Sequence, residues 1–90
     1  MLRLVTIDLR NADLALFEAY EAKVLSRLGL YGGRLEIRVR SLDEALETHL
    51  LSFPDAVAYE AYRADPERVA AQNQWETCGA RSSSAVVERI

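Results

Sequence analysis

Ninety residues, half of them hydrophobic and 28% charged, with a net charge of −3, describe one small globular domain rather than a disordered chain. The 11 basic residues are scattered, which argues against nucleic-acid binding and against a basic membrane-surface helix. One cysteine, Cys78, excludes an internal disulfide and suits a reducing cytoplasm; the opening residues do not read as a signal peptide, and no run approaches the roughly 20 apolar residues of a membrane span.

Residues 2–9, "LRLVTIDL", alternate as a strand, with Val5, Ile7 and Leu9 on one face and Leu4, Thr6 and Asp8 on the other. Asn11 and Asp13 are candidate N-caps. Leu14, Phe17, Glu21, Val24, Leu25 and Leu28 then recur at helical spacing, with Glu21 the one charged residue at the edge of the stripe. Gly29 is the expected left-handed stop, with Leu30 making the accompanying apolar contact. "YGGR" is a turn in which Gly32-Gly33 supplies positive φ angles. "RLEIRVR" alternates cleanly, with Leu35, Ile37 and Val39 one way and Arg34, Glu36, Arg38 and Arg40 the other. "SLDEALE" reads as a polar connection and "THLLSF" as a third strand. Pro54 ends that strand because it has no N–H for the ladder, and Asp55 caps a helix carrying Tyr59 and Tyr62. Asp65-Pro66 breaks the helix and starts another piece that runs to about Trp75. Gly79 stops it, and "ARSSSAVVERI" is the fourth strand.

The order β-α-β-β-α-β predicts a single ferredoxin-like α+β domain over residues 1–90: one antiparallel sheet with its helices on one face. The other face is then expected to carry Leu4, Thr6, Asp8, Glu36, Arg38 and Arg40. Either it is solvated, with cross-strand pairs such as Asp8 and Arg38 worth about 0.2–1 kcal/mol each, or two copies stack these faces around a polar cavity.

The stretch "LSFPDAVAYEAYRADPE" (residues 51–67), with "YGGR" before the second strand, resembles the family called domain of unknown function 1330, within the dimeric α/β-barrel superfamily. Phe53-Pro54 matches its turn, Tyr59 and Tyr62 its paired aromatics, and Asp65-Pro66-Glu67 its helix break. Ser52 stands where that family usually carries an acid. The resemblance implies a homodimer whose sheets form a barrel. The superfamily includes antibiotic-biosynthesis monooxygenases and haem-degrading enzymes, so the fold does not select a reaction.

His49 is the only histidine, so no His-His metal pair exists, and no cluster has metal-ligand spacing. Strand parity puts His49 on the side of Leu51 and Phe53, as a structural residue or as a proton acceptor. Cys78 reads as a structural thiol. Tyr31, Tyr59, Tyr62 and Trp75 suit packing or interfaces as well as a ligand box. If the barrel forms, Glu36, Arg38 and Arg40 point into it, and the arginines would meet a small organic acid or another anion.

Three functions therefore compete. One is a dimeric barrel binding a small organic or anionic molecule between its sheets. The second is a cofactor-independent monooxygenase or isomerase with His49 or Tyr59 as proton acceptor. The third is a dimerisation module without chemistry. His49 and Tyr59 are the candidate catalytic residues; Glu36, Arg38, Arg40, Ser52, Tyr62 and Trp75 are the candidate substrate contacts. Neither a cofactor nor a metal is called for.

Overall fold

The computed structural model describes residues 1–90. Strands β1 (Leu2–Asp8), β2 (Arg34–Arg40), β3 (Leu46–Ser52) and β4 (Arg81–Val87) form one sheet in the order β2-β3-β1-β4, with every neighbouring pair antiparallel. Helix α1 (Leu14–Leu25) connects β1 to β2, and α2 (Ala56–Arg63), α3 (Pro66–Ala70) and α4 (Gln72–Cys78) connect β3 to β4. This is the ferredoxin-like arrangement that the element order implies. The helices pack on the face that bears Val5, Ile7 and Leu51, where Phe17, Tyr62 and Cys78 close the core.

The joints are set by short polar side chains. The Asp13 carboxylate accepts from the Leu16 N–H at 3.1 Å and starts α1; Asp55 accepts from Ala58 at 2.8 Å and starts α2. At the break between α2 and α3, Asp65 caps Glu67 and Arg68 while Pro66 fills the first helical position. The same carboxylate accepts two hydrogen bonds from Arg27, at 3.0 and 2.9 Å, and one from the Tyr31 hydroxyl at 2.5 Å. The break is therefore pinned to the 3-10 turn Leu28–Tyr31. Those donors, Arg27 first, hold the Asp65 carboxyl well below the usual carboxylate range.

Helix α1 does not run on to Gly29. It ends at Leu25, the chain tightens into the 3-10 turn, and Gly32 takes the left-handed conformation at φ 71°. The tighter turn brings Leu28 into the core beside Leu51 and Phe53 and leaves Leu30 65% exposed, so Leu30 makes no capping contact.

Beyond its first residues the second strand faces the opposite way from the expectation. A β-bulge at Glu36 puts Leu35 opposite Leu51 but Ile37 opposite Leu50. Beyond it, Arg38 and Arg40 lie opposite His49 and Glu47 on the helix-covered face, while Ile37 and Val39 join Leu50 and Thr48 on the outer face. The charges are tolerated beneath the helices because carboxylates meet them there. The outer face is thus apolar, with Leu4, Ile37, Val39 and Leu46 between 38% and 55% exposed. Asp8 pairs with Arg10 at 2.6 Å rather than with Arg38.

Gly79 sits at φ 84° between α4 and β4, and a Cβ there would lie 2.5 Å from the Asn11 carbonyl oxygen. The left-handed conformation alone costs a non-glycine residue about 1–2 kcal/mol, and the approach to backbone adds to that. Gly79→Ala is therefore expected to lose at least this much stability in urea unfolding; an unchanged midpoint would contradict the geometry.

Candidate functional site

A cavity of about 370 Å³ lies between the covered sheet face and the helices. The register explains why space remains there. On β4 the residues opposite Val5 and Ile7 are Ser84 and Ser82, too short to fill the gap. Tyr20, Val24 and Trp75 form the wall from α1 and α4, and Tyr59 and Tyr62 the wall from α2. Tyr20 and Trp75 pack with ring centroids 5.2 Å apart; Phe53 holds Tyr59 and Tyr62 at 5.3 and 5.5 Å.

His49 reaches the cavity from β3 and is 3% exposed. Its Nε2 lies 2.5 Å from the Glu47 carboxylate. Glu47 also accepts from Arg38 Nε at 3.0 Å and Arg40 Nε at 2.8 Å. Glu18 on α1 bonds the far sides of both guanidiniums. Burial works to raise the Glu47 carboxyl, but the bonds from His49, Arg40 and Arg38 together hold it below its ordinary value. Burial also lowers the His49 imidazole, and outweighs the opposite pull of Glu47. A neutral imidazole beside an ionised carboxylate carries its proton on Nε2, which leaves Nδ1 as the acceptor; this tautomer is assigned from the hydrogen bond.

Glu21 is the second titratable group at the cavity. It is 5% exposed, and burial pushes its carboxyl up to about 7. Glu47 and Glu18 push the same way, while Arg38 and Arg68 oppose. Three arginines also line the space, Arg3 from β1, Arg63 from α2 and Arg68 from α3.

Of the residues singled out from sequence, His49, Tyr59, Tyr62 and Trp75 come together around this cavity. The other four lie outside it. Arg38 and Arg40 stand behind His49, occupied by Glu47 and Glu18. Ser52 and Glu36 bond each other at 2.7 Å at the bulge. Arg38 and Arg40 therefore do not point to the outer face, where a cavity between two sheets was expected; the pocket within this chain lies between the sheet and the helices. Tyr62 donates its hydroxyl to the Val24 carbonyl at 2.8 Å, and burial raises its pKa further, so it is a wall rather than a base. Cys78 is 1% exposed in the core and donates to the Trp75 carbonyl at 3.1 Å. No three His, Cys, Asp or Glu side chains converge as metal ligands.

Sequence reading passed over Glu47, Glu21, Arg3 and Arg68. Glu47 was hidden in the polar stretch "SLDEALE", although it alternates with His49 and Leu51. Glu21 had a visible signal, a lone charge in the apolar stripe of α1. Arg3 and Arg68 carried none.

Comparison with known proteins supplies the class of fold. SnoaB, a cofactor-independent oxygenase from Streptomyces nogalater, superposes with a TM-score of 0.75 at 13% identity, over 99% of this chain and 93% of that one. A protein provisionally named an antibiotic biosynthesis monooxygenase, from Caulobacter crescentus, gives 0.69 at 15% identity over 97% and 90%. An uncharacterised NIPSNAP domain protein from Burkholderia xenovorans gives 0.62 at 16% identity over 98% and 95%. The chain has the ferredoxin-like fold of these monooxygenase-like structures. No family model and no curated protein matches the sequence. No helix is long and apolar enough to cross a membrane.

The raised Glu21 gives a signed pH dependence. Above its ordinary value of 4.5 the unfolded chain loses this proton while the folded protein keeps it to about 7. The stability contributed is full below pH 4.5 and falls by up to about 3 kcal/mol as pH rises to about 7. His49, whose pKa is lowered, acts oppositely and removes stability as pH falls through 6.5. Glu21→Gln is expected to be more stable than the parent at pH 8 and to lose the decline between pH 4.5 and 7 in urea titrations. Parallel pH profiles for the two proteins would contradict it.

Proposed function

We propose that the protein binds a small organic molecule in the cavity under the helices and abstracts a proton from it, with His49 as the proton acceptor. The observation that carries this reading is buried His49 at the cavity wall with the Glu47 carboxylate 2.5 Å from its Nε2. A ligand proton transferred to Nδ1 creates an imidazolium, and Glu47 stabilises that charge through Nε2 as a positioning residue. Val24, Leu51 and Trp75 give the pocket an apolar wall against which the body of a ligand can pack. Proton abstraction of this kind needs no cofactor, and the likeness to a structure described as a cofactor-independent oxygenase supports the reading. Tyr59, Tyr62 and Trp75 hold the body of the ligand. Arg38, expected to stabilise an anion, instead neutralises Glu47.

The same proposal includes a homodimer of the dimeric α/β-barrel type, within or near the family called domain of unknown function 1330. Its support is the apolar outer face, where Leu4, Ile37, Val39 and Leu46 are partly exposed on one side of the sheet. Apolar burial stabilises by about 25 cal/mol per Å², and a patch of this kind is unusual on a monomer.

Two measurements test these points. Solvent deuterium incorporation into a panel of enolisable aromatic ketones, followed by NMR, is expected for the parent protein and expected to fall about 10²-fold or more in His49→Gln; exchange unchanged in the variant would remove the base. Light scattering is expected to give twice 10.1 kDa for the parent and 10.1 kDa for Ile37→Asp. A monomeric parent at micromolar concentration would contradict the dimer.

A further inference from the structure

We propose that the ligand of this cavity is an organic carboxylate, and that Arg3 and Arg68 grip its charged end. This rests on the reading of the cavity as a ligand site. Most arginines of the frame are paired with carboxylates. Arg27 is spent on Asp65, and Arg38 and Arg40 on Glu47 and Glu18; even the exposed Arg10 closes on Asp8. Of the three arginines at the cavity, Arg63 reaches Glu60 at 3.7 Å, while Arg3 and Arg68 form no ion pair; Arg34, Arg81 and Arg89 are also unpaired, but they are exposed and lie outside the cavity. Arg3 and Arg68 each also have a buried Nε with no hydrogen-bond partner.

Their orientation is held by packing. The Arg3 guanidinium lies 4.0 Å from the Tyr59 ring centroid, and the Arg68 guanidinium 4.4 Å from that of Tyr62. Arg3 is fixed further by a 2.8 Å bond from NH1 to Ser84 Oγ. Stacking occupies the faces of the two cations and leaves their edges as the donors. The terminal nitrogens of a guanidinium present a fork of paired N–H groups that matches a carboxylate. A buried donor without a partner is destabilising, more so when it is charged. Tyr59 and Tyr62 are one turn apart on α2, so both cations sit against one wall. The proposed carboxylate binds against that wall.

The rest of the space sets the other half of the ligand. Val24, Leu51, Tyr20 and Trp75 offer an apolar and aromatic surface with room for a single ring or a short chain. Inorganic phosphate would satisfy the arginines but leave that surface unfilled. Glu21, the carboxyl nearest in role, is pushed by burial toward neutrality and does not cancel the two positive charges.

The test is calorimetric titration of the full chain with benzoate, benzamide and inorganic phosphate. Benzoate is expected to bind, and both benzamide and phosphate to bind at least about tenfold more weakly. Arg3→Gln and Arg68→Gln are each expected to weaken benzoate by about tenfold to a hundredfold, the range for a hydrogen bond to a charged group. Arg10→Gln, on the exposed surface, is expected to leave benzoate binding unchanged. If Arg68→Gln fails to fold by circular dichroism, Arg68→Lys keeps the charge without the fork and is expected to weaken benzoate as well. Equal binding of benzoate and benzamide, or benzoate binding indifferent to both arginines, would overturn the carboxylate assignment; His49-dependent exchange would then still stand as evidence for the cavity. Phosphate binding as tight as benzoate would overturn the organic half of the assignment.

Discussion

Glu47 is 1% exposed in the middle of the covered sheet face, where an unpaired carboxylate would cost several kcal/mol in desolvation. Arg38, Arg40 and His49 all turn to it, and Glu18 closes the group from α1. The rest of the site follows from that arrangement. Two charged residues of β2 are drawn under the helices, so the apolar residues of the same strand, Ile37 and Val39, must face outward. His49 is fixed in one orientation at the edge of the cavity. Arg38 and Arg40 are neutralised from within the protein. Truncating one member of a fully buried charge group costs about 3–5 kcal/mol; here the cost is smaller, because the Arg38 and Arg40 side chains keep 31% and 28% of their exposure.

A second polar anchor shapes the opposite side of the cavity. Asp65 caps α3 and holds Arg27 and Tyr31, which fixes where the chain breaks after α2. That break sets α3 against the cavity so that Arg68 can lie over Tyr62. The two anchors contrast with the cavity between them, where Arg3 and Arg68 lack carboxylates and Glu21 is held toward its neutral form. Charge is thus satisfied in the frame and unsatisfied in the space, which is how binding sites differ from structural ion pairs.

What could be read from the sequence was local. Strand alternation in "LRLVTIDL", the caps at Asp13, Asp55 and Asp65, and the stop at Gly79 are each determined by neighbouring residues, and they give the element order and hence the fold. His49 fell on the correct side of β3 because parity with Leu51 and Phe53 is also local. The facing of β2 was not legible. Alternation shows which residues share a side, and hydrophobicity suggests the side with Leu35, Ile37 and Val39 for the core. The bulge at Glu36 and the buried Glu47 reverse that choice. The connection before β3 was legible from its polar residues, Ser41 and Asp43 among them, but not its tight turn, whose positive-φ position is Glu44, at 61°, rather than a glycine or asparagine. Arg3 and Arg68 were beyond reach altogether, since what sets them apart is the partners they lack.

In the proposed reading, ligand chemistry belongs to the space under the helices and the outer sheet face to a second copy of the chain. Methyl NMR during titration with an aromatic carboxylate separates the two faces directly. Shifts are expected at Val5, Val24 and Leu51, which border the cavity, with Ile37 and Val39 unmoved. Shifts concentrated at Ile37 and Val39, with the cavity methyls silent, would contradict it.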